Sequence, residues 1–174
     1  TPLILTQQTK ITASDGAVGE EFGTFSAISG DYAIAGAPNQ TNNKGAAYIY
    51  LRTGASWAQQ AKLIADDGAE EDFFGISVAL AGDYALVGAH SHNNVTGAAY
   101  IFYRTGTSWA QQAKLTADDG VAADFFGYSV ALTETYALVG AKRNATTGSA
   151  YVFVRSETSW TQQAKLLPEV SAPN

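Results

Sequence analysis

Apolar and polar positions alternate along this chain in short blocks that are typical of β-strands. In the middle third, residues 74–80 are mostly apolar, residues 84–89 are apolar almost throughout, and residues 97–104 contain a third apolar run. Each block is followed by Gly, Asn, Asp or Thr, which favour turns. Residues 108–115 form a fourth, more polar block. The pattern predicts four short antiparallel strands, with one face of the fourth carrying Trp109, Gln111, Ala113 and Leu115.

This four-strand pattern occurs three times at a nearly constant spacing. Three Phe-Gly pairs recur every 52 residues, at Phe22-Gly23, Phe74-Gly75 and Phe126-Gly127. A unit of this size cannot bury both of its faces alone, so it has to stack on its neighbours. A gradient from an apolar first strand to a polar fourth strand is typical of propeller blades. We therefore predict an all-β fold of three four-stranded antiparallel blades, with repeats at about residues 12–63, 64–115 and 116–166.

Three blades do not close a propeller, and residues 1–11 match a fourth, outer strand whose first three strands are absent. An open blade face is an apolar patch that is expected to find a partner. Two explanations are open. Either two chains associate as a homodimer that closes a six-bladed ring, or the chain is a fragment of a larger propeller that supplies the remaining blades. The absence of Met favours the second, whereas a closed dimer is expected for the isolated chain.

Composition excludes several classes of function. The net charge is −6, so clustered basic residues for nucleic acid are not expected, and no apolar run approaches the ~20 residues of a membrane span. The chain has no Cys, which excludes disulfides, thiol chemistry and Cys-ligated metal sites.

The repeated sequence resembles a known family. Gln-Gln-Ala-Lys-Leu, Asp-Asp-Gly, Phe-Gly-x-Ser-Val-Ala-Leu and Tyr-Ala-Leu-Val-Gly-Ala recur in order. This order is similar to the FG-GAP repeat of integrin-α-like β-propellers, in its bacterial variant. The resemblance covers about residues 6–167. It implies a propeller of about six or seven blades, extracellular or on a cell surface, that binds or scaffolds rather than catalyses.

One departure from the family pattern concerns calcium. Calcium-binding FG-GAP units carry Asp-x-Asp-x-Asp-Gly between the first and second strands. Here these turns read Ser29-Gly30-Asp31, Ala81-Gly82-Asp83 and Thr133-Glu134-Thr135. One carboxylate does not supply the several oxygens that Ca²⁺ requires, so no metal is expected at the usual position.

Acidic residues are concentrated between the outer strand of one unit and the first strand of the next. Eleven of the 16 acidic residues lie there: Asp15, Glu20, Glu21, Asp66, Asp67, Glu70, Glu71, Asp72, Asp118, Asp119 and Asp124. One rim of the propeller is therefore expected to be strongly negative and to attract cations or a basic partner. The alternative is structural: Asp15, Asp67 and Asp119 accept backbone N–H bonds in Asp-Gly turns. Two pairs have the spacing for a weak calcium site, Asp67 with Asp72 and Asp119 with Asp124.

The loops between second and third strands contain the remaining candidate ligands. His90 and His92 have no counterpart histidines in the other units, and Lys142 and Arg143 occupy the loop that matches His90. They are candidates for binding a ligand, although a solvated loop is the simpler interpretation. The same loops contain the glycosylation sequons at Asn39, Asn94 and Asn144.

The recurring Trp57, Trp109 and Trp160 suit packing between blades better than stacking on sugars. No catalytic residue and no cofactor are predicted, apart from weak calcium. The favoured function is a non-enzymatic, extracellular recognition, adhesion or scaffold module. A carbohydrate-binding propeller is the alternative, and a propeller lyase or hydrolase is a further one that lacks convergent acid–base groups. The protein or glycan ligand is not identified by the sequence.

Overall fold

The chain folds into three four-stranded antiparallel sheets. The structure is a computed structural model that describes Gln7, residues 9–144 and residues 147–169. The first sheet contains β1 (Ser26–Ser29), β2 (Tyr32–Ala37), β3 (Ala46–Thr53) and β4 (Ser56–Leu63). The second contains β5 (Ser77–Ala81), β6 (Tyr84–Ala89), β7 (Ala98–Thr105) and β8 (Ser108–Leu115). The third contains β9 (Phe126–Leu132), β10 (Tyr136–Ala141), β11 (Ser149–Ser156) and β12 (Ser159–Leu166). Short helical turns, α1 (Gln40–Asn43) and α2 (His92–Val95), follow β2 and β6.

Strands lie in each sheet in chain order and every neighbouring pair is antiparallel, which confirms the predicted all-β fold. The prediction that Trp109, Gln111, Ala113 and Leu115 share one face of the fourth strand was wrong. A β-bulge in the β7–β8 pair makes Gln111 face Phe102 while Ala113 faces Ile101. The extra residue reverses the alternation. Trp109 therefore packs toward the first sheet, and Ala113 packs toward the third.

The hydrophobic core lies between the sheets. At the junction of the second and third sheets, Leu86 and Ile101 pack against Val139, Tyr151 and Phe153, all at most 3% exposed. The corresponding side chains of the first sheet, including Ile34 and Ile49, form the same junction with the second. Each sheet thus buries its faces only by stacking on a neighbour.

The Phe-Gly pairs join the sheets through an unusually close backbone approach. A Cβ atom placed on Gly36 would lie 2.0 Å from the carbonyl oxygen of Gly75, and one on Gly88 would lie 2.0 Å from that of Gly127. Only a residue without a side chain fits there. We call each such pair of glycines a glycine seat: Gly36 with Gly45 receives Phe74-Gly75, and Gly88 with Gly97 receives Phe126-Gly127. Gly140 with Gly148 is the third seat, at the same repeat positions of the third sheet.

The first strand of the second sheet starts later than the sequence predicts, whereas that of the third sheet starts at Phe126. A strand from Phe74 to Leu80 was expected, but β5 begins at Ser77. The Phe74 amide donates to the carbonyl of Lys44, in the loop before β3, at 3.1 Å, and Phe74 forms a parallel bridge with Gly45.

The surplus outer strand predicted at residues 1–11 stays a prediction. Residues 1–6 and 8 lie outside the described residues, while Gln7 and residues 9–13 form no strand. Ile11 and Ala13 nevertheless pack on Tyr48 and Tyr50, where Leu63 and Ala65 pack at the next junction. No helix in the described part of the chain has the length and apolarity needed to cross a membrane.

Candidate functional site

The crossings between sheets meet the loops between second and third strands on one side of the molecule, which we call the loop rim. It comprises residues 12–25, 64–76 and 116–125 from the crossings and residues 38–45, 90–97 and 142–144 from the loops. Backbone hydrogen bonds join them, since the Ser91 amide donates to the Asp72 carbonyl and the Arg143 amide donates to that of Asp124. The residues that the sequence suggests for binding calcium or another ligand all lie on this rim.

Asp15, Asp67 and Asp119 each bridge a tyrosine and a lysine of the following sheet. Asp67 accepts from the Tyr100 hydroxyl at 2.9 Å and from Lys114 Nζ at 2.6 Å. The other two carboxylates repeat this arrangement with Tyr48 and Lys62, and with Tyr151 and Lys165. These side-chain bonds join each crossing to the following sheet, and the expected backbone N–H bond contributes less at Asp15 and Asp119.

These contacts lower the pKa of the carboxyl groups. The bonds from Lys62 and then Tyr48 hold the pKa of Asp15 below its usual value, and Lys165 and then Tyr151 do the same for Asp119. Burial opposes the effect at Asp67, but Lys114 and Tyr100 together still lower the pKa of that carboxyl.

Asp72 and Asp124 are buried, at 4% and 3% exposure, and fulfil the turn role instead. Asp72 accepts the Ala69 amide at 2.8 Å and His92 Nδ1 at 2.8 Å. Asp124 accepts the Val121 amide at 2.8 Å, and Asn144 Nδ2 at 2.7 Å takes the place of the histidine. Each carboxylate thus fastens a crossing to its neighbouring loop.

His92 is held on both ring nitrogens. Lys114 Nζ lies 2.8 Å from Nε2, so the tautomer that satisfies both contacts has its proton on Nδ1, facing Asp72. His92 shares its repeat position with Gln40 and Asn144, which also bond to rim residues. The sequence suggested a histidine without counterparts, but its position has a hydrogen-bonding role in every unit.

The candidate calcium pairs are therefore already bonded to donors. Asp67 faces a lysine and a tyrosine, whereas Asp72 faces a backbone amide and His92. Among the described residues, no group of three or more His, Cys, Asp or Glu side chains is arranged to hold a metal ion. Calcium at either pair would have to displace these contacts, and weak calcium binding stays a prediction.

The negative charge of the loop rim is smaller than the count of acids suggests. Three of its eleven carboxylates pair with lysines and two are buried. Glu70 and Glu71 accept the side-chain amides of Asn42 and Asn43. Most of the carboxylates that were expected to form a strongly negative surface thus join segments of the rim.

His90, Lys142 and Arg143 come together in a different setting, beside three aromatic rings. His90 stacks on Tyr128 with ring centroids 5.6 Å apart and an interplanar angle of 10°, and Phe125 and Phe73 contact it at 5.6 and 5.7 Å. Lys142 Nζ lies 4.4 Å from the Tyr128 ring centroid, and the Arg143 guanidinium lies 5.1 Å from that of Phe125. We call these six residues the loop cluster.

The loop cluster places two cations over aromatic faces. Burial and then the nearby Lys142 ammonium lower the pKa of His90, so the imidazole is neutral at neutral pH. Lys142 and Arg143 are exposed, and so is Tyr128. The sequence identified the three polar members but not the rings. A signal existed, because Glu21 and Thr24 stand in the first unit where the third has Phe125 and Tyr128.

The tryptophans and one sequon have structural roles. Trp109 and Trp160 donate their Nε1–H to Gln60 and Gln112 of the preceding outer strand, at 2.9 and 3.0 Å, so they join blades. Asn144 is 3% exposed, and its amide is bonded to Asp124 and Ser149. A glycan on Asn144 would break these bonds, whereas Asn94 is exposed.

The fold and its junctions define the class of protein: four-stranded sheets in chain order, stacked face to face, are blades of a β-propeller. The FG-GAP repeat model matches the chain three times, at residues 5–50, 57–102 and 109–153. The chain therefore belongs to the FG-GAP repeat family, as the resemblance implied. A comparison with curated proteins found no match.

Proposed function

We propose that this chain is a non-catalytic recognition module of an extracellular or cell-surface protein, and that the loop cluster is its ligand-binding surface. FG-GAP repeats are typical of such proteins, and the family is in general non-catalytic. The observation that supports the cluster is the break in the repeat: two exposed cations and three aromatic rings gather where blades 2 and 3 depart from blade 1.

The chemistry of the cluster favours a ligand with anionic groups beside a flat apolar face. Lys142 and Arg143 supply charge-assisted donors, while Tyr128 supplies an exposed ring. The protein has a net charge of −6, so attraction of an anionic ligand is a local property of this patch. Acidic loops of a protein partner fit this description, and this is the leading function, in adhesion or scaffolding.

An acidic carbohydrate is the second candidate, favoured by the exposed part of the Tyr128 ring beside Lys142, since exposed rings bind sugar faces. The interblade role of Trp109 and Trp160 gives no support to sugar binding at the tryptophans. A lyase or hydrolase receives no support either, because both ring nitrogens of His92 are engaged by Asp72 and Lys114.

Binding to immobilised probes tests the proposal: a polyglutamate peptide for an acidic protein loop, and hyaluronan and heparin for acidic glycans. The double variant Lys142→Ala/Arg143→Ala should lose binding, whereas Lys10→Ala/Lys44→Ala, with the same net charge, should retain it. Peptide binding supports the leading function and glycan binding supports the second. Absence of binding to every probe, or equal loss in both double variants, would contradict a specific anionic site.

A further inference from the structure

The face of the third blade that points away from the second blade is open, although its sequence is that of a buried face. Leu138 is 39% exposed, whereas Leu86 at the same repeat position is 0% exposed. Tyr136 is 47% exposed, and its counterpart Tyr84 is 8% exposed. The difference comes from the neighbour, since blade 3 covers Leu86 and no described residue covers Leu138.

The third glycine seat lies on this open face and is empty. A cavity of about 320 Å³ is lined by Tyr128, Ser129, Gly140, Lys142, Gly148 and Ala150, among others. At the other two seats, this position holds the Phe-Gly of the next blade, with the Gly75 or Gly127 carbonyl against the seat. Ser77 Oγ donates to the Gly127 carbonyl at 2.8 Å, and Ser129 is the corresponding hydroxyl on the open face.

One Phe-Gly of the chain has no seat. A Cβ on Gly75 or Gly127 would lie 2.3 or 2.2 Å from the backbone oxygen of Ala46 or Ala98, but a Cβ on Gly23 would meet nothing within 4 Å. Gly23 nevertheless has the backbone conformation of the seated pairs, with φ at +86° against +96° and +88°. The unseated pair therefore has the shape that a seat requires.

We propose that the third glycine seat binds Phe22-Gly23 of a second copy of this chain. The Phe-Gly and the empty seat lie at opposite ends of the three-blade stack, so one chain does not supply both to the same junction. Two copies satisfy both needs at once, because each seat takes the other copy's Phe22-Gly23. The result is a closed ring of two chains with two identical seams.

The apolar faces on either side of such a seam have the same pattern as the internal junctions. Tyr48 and Tyr50 stand in blade 1 where Tyr151 and Phe153 pack on blade 2. One overlap has to be relieved, because Ile11 of one copy and Leu166 of the other hold the same repeat position. Residues 9–11 pair with no strand, whereas Leu166 pairs with Ala150 in β12. The N-terminal segment is therefore the one that moves out of the seam.

Sedimentation velocity at micromolar concentration tests the seam, with the unaltered chain expected at twice its mass of 18.2 kDa. Gly140→Ala should weaken the dimer at least about 100-fold, since its Cβ would meet the partner's backbone in both seams. Leu138→Lys should act alike, and Val121→Lys, at a residue 61% exposed on a crossing, should leave the dimer intact. Circular dichroism checks that each variant is folded.

A mixing experiment identifies the contact itself. Gly23→Ala should also weaken the dimer, because this Cβ would meet the seat of the other copy. A mixture of Gly140→Ala and Gly23→Ala chains contains pairs with one intact seam, so it should associate more tightly than either variant alone. A monomeric unaltered chain, an open polymer, or a dimer indifferent to Gly140→Ala and Leu138→Lys would overturn the proposal. Tyr128 and Lys142 belong to the loop cluster and also line this seat, so sedimentation is measured without any ligand present.

Discussion

The substitution Gly88→Ala tests whether the blades are held together by close backbone contact at the glycine seats. The new Cβ would lie 2.0 Å from the Gly127 carbonyl oxygen and 2.2 Å from Ser77 Oγ, whereas ordinary contacts begin at 3.4 Å. The blades must separate locally by more than about 1 Å, and overpacking of this kind costs about 1–3 kcal/mol. Loss of the buried bond from Ser77 Oγ to Gly127 adds about 1–3 kcal/mol.

Gly140→Ala is the matched control, because it makes the same chemical change at the same repeat position on the open face. Its Cβ would meet chiefly Ser129 Oγ, an exposed hydroxyl that can rotate away. We expect a change in the free energy of unfolding within about 1 kcal/mol for Gly140→Ala, since Gly and Ala differ little where the backbone is compatible. Gly88→Ala should destabilise the chain by about 3 kcal/mol or more.

Thermal unfolding followed by circular dichroism measures both variants, at a concentration low enough to keep the chains apart. For a chain of this length, about 3 kcal/mol corresponds to a Tm lower by about 6–12 °C. Equal shifts in the two variants, or a Gly88→Ala chain as stable as the unaltered one, would refute the seat as a close contact between blades.

Three further predictions concern titration and metal binding, and a fourth concerns modification. Burial and Lys142 lower the pKa of His90, so the neutral ring stabilises the fold above about pH 6.5 and this stability is lost as pH falls. NMR titration of His90 should show that its pKa rises in Lys142→Ala. The contacts that lower the pKa of Asp119 stabilise the fold above about pH 4, and this stability is lost as the pH falls further. Asp119→Asn should therefore make Tm fall less steeply with acid, and an unchanged profile would count against the Lys165 contact. Millimolar calcium tests the weak site predicted at Asp67 and Asp72: a rise in Tm that Asp67→Asn abolishes would support it, and an unchanged Tm would contradict it. Mass spectrometry of the chain secreted by glycosylating cells should find Asn144 unmodified, because its buried amide is bonded, and an occupied site would contradict that geometry.

The blades were predictable because their information is local and repeated. Alternating apolar blocks, turn residues and a 52-residue spacing specify strands and their number in each unit. The start of β5 at Ser77 was not predictable in this way, since the equivalent β9 starts at Phe126 although both Phe amides bond to the preceding blade. The reversal of faces in β8 has the same cause, because a bulge leaves no trace in apolar periodicity.

The candidate site was predictable only in part. Proximity in sequence identified His90 and His92 together, but the structure separates their roles, with His92 held by Asp72 and His90 by aromatic rings. The bonds of Asp67 to Tyr100 and Lys114 join two blades and so depend on the stacking geometry. The recurrence of both partners at the repeat spacing is the feature of the sequence that points to these bonds.

Amide hydrogen exchange at the three Phe-Gly pairs tests the central claim most directly. In separated chains, the Phe74 and Phe126 amides should be protected by their bonds to Lys44 and Thr96 of the preceding blade, while the Phe22 amide, which has no such bond among the described residues, should exchange fast. On raising the concentration until dimers form, Phe22 should become protected too. Equal exchange at all three in dilute solution would contradict the stacking of blades through Phe-Gly, and a Phe22 amide that stays fast in the dimer would contradict the seam.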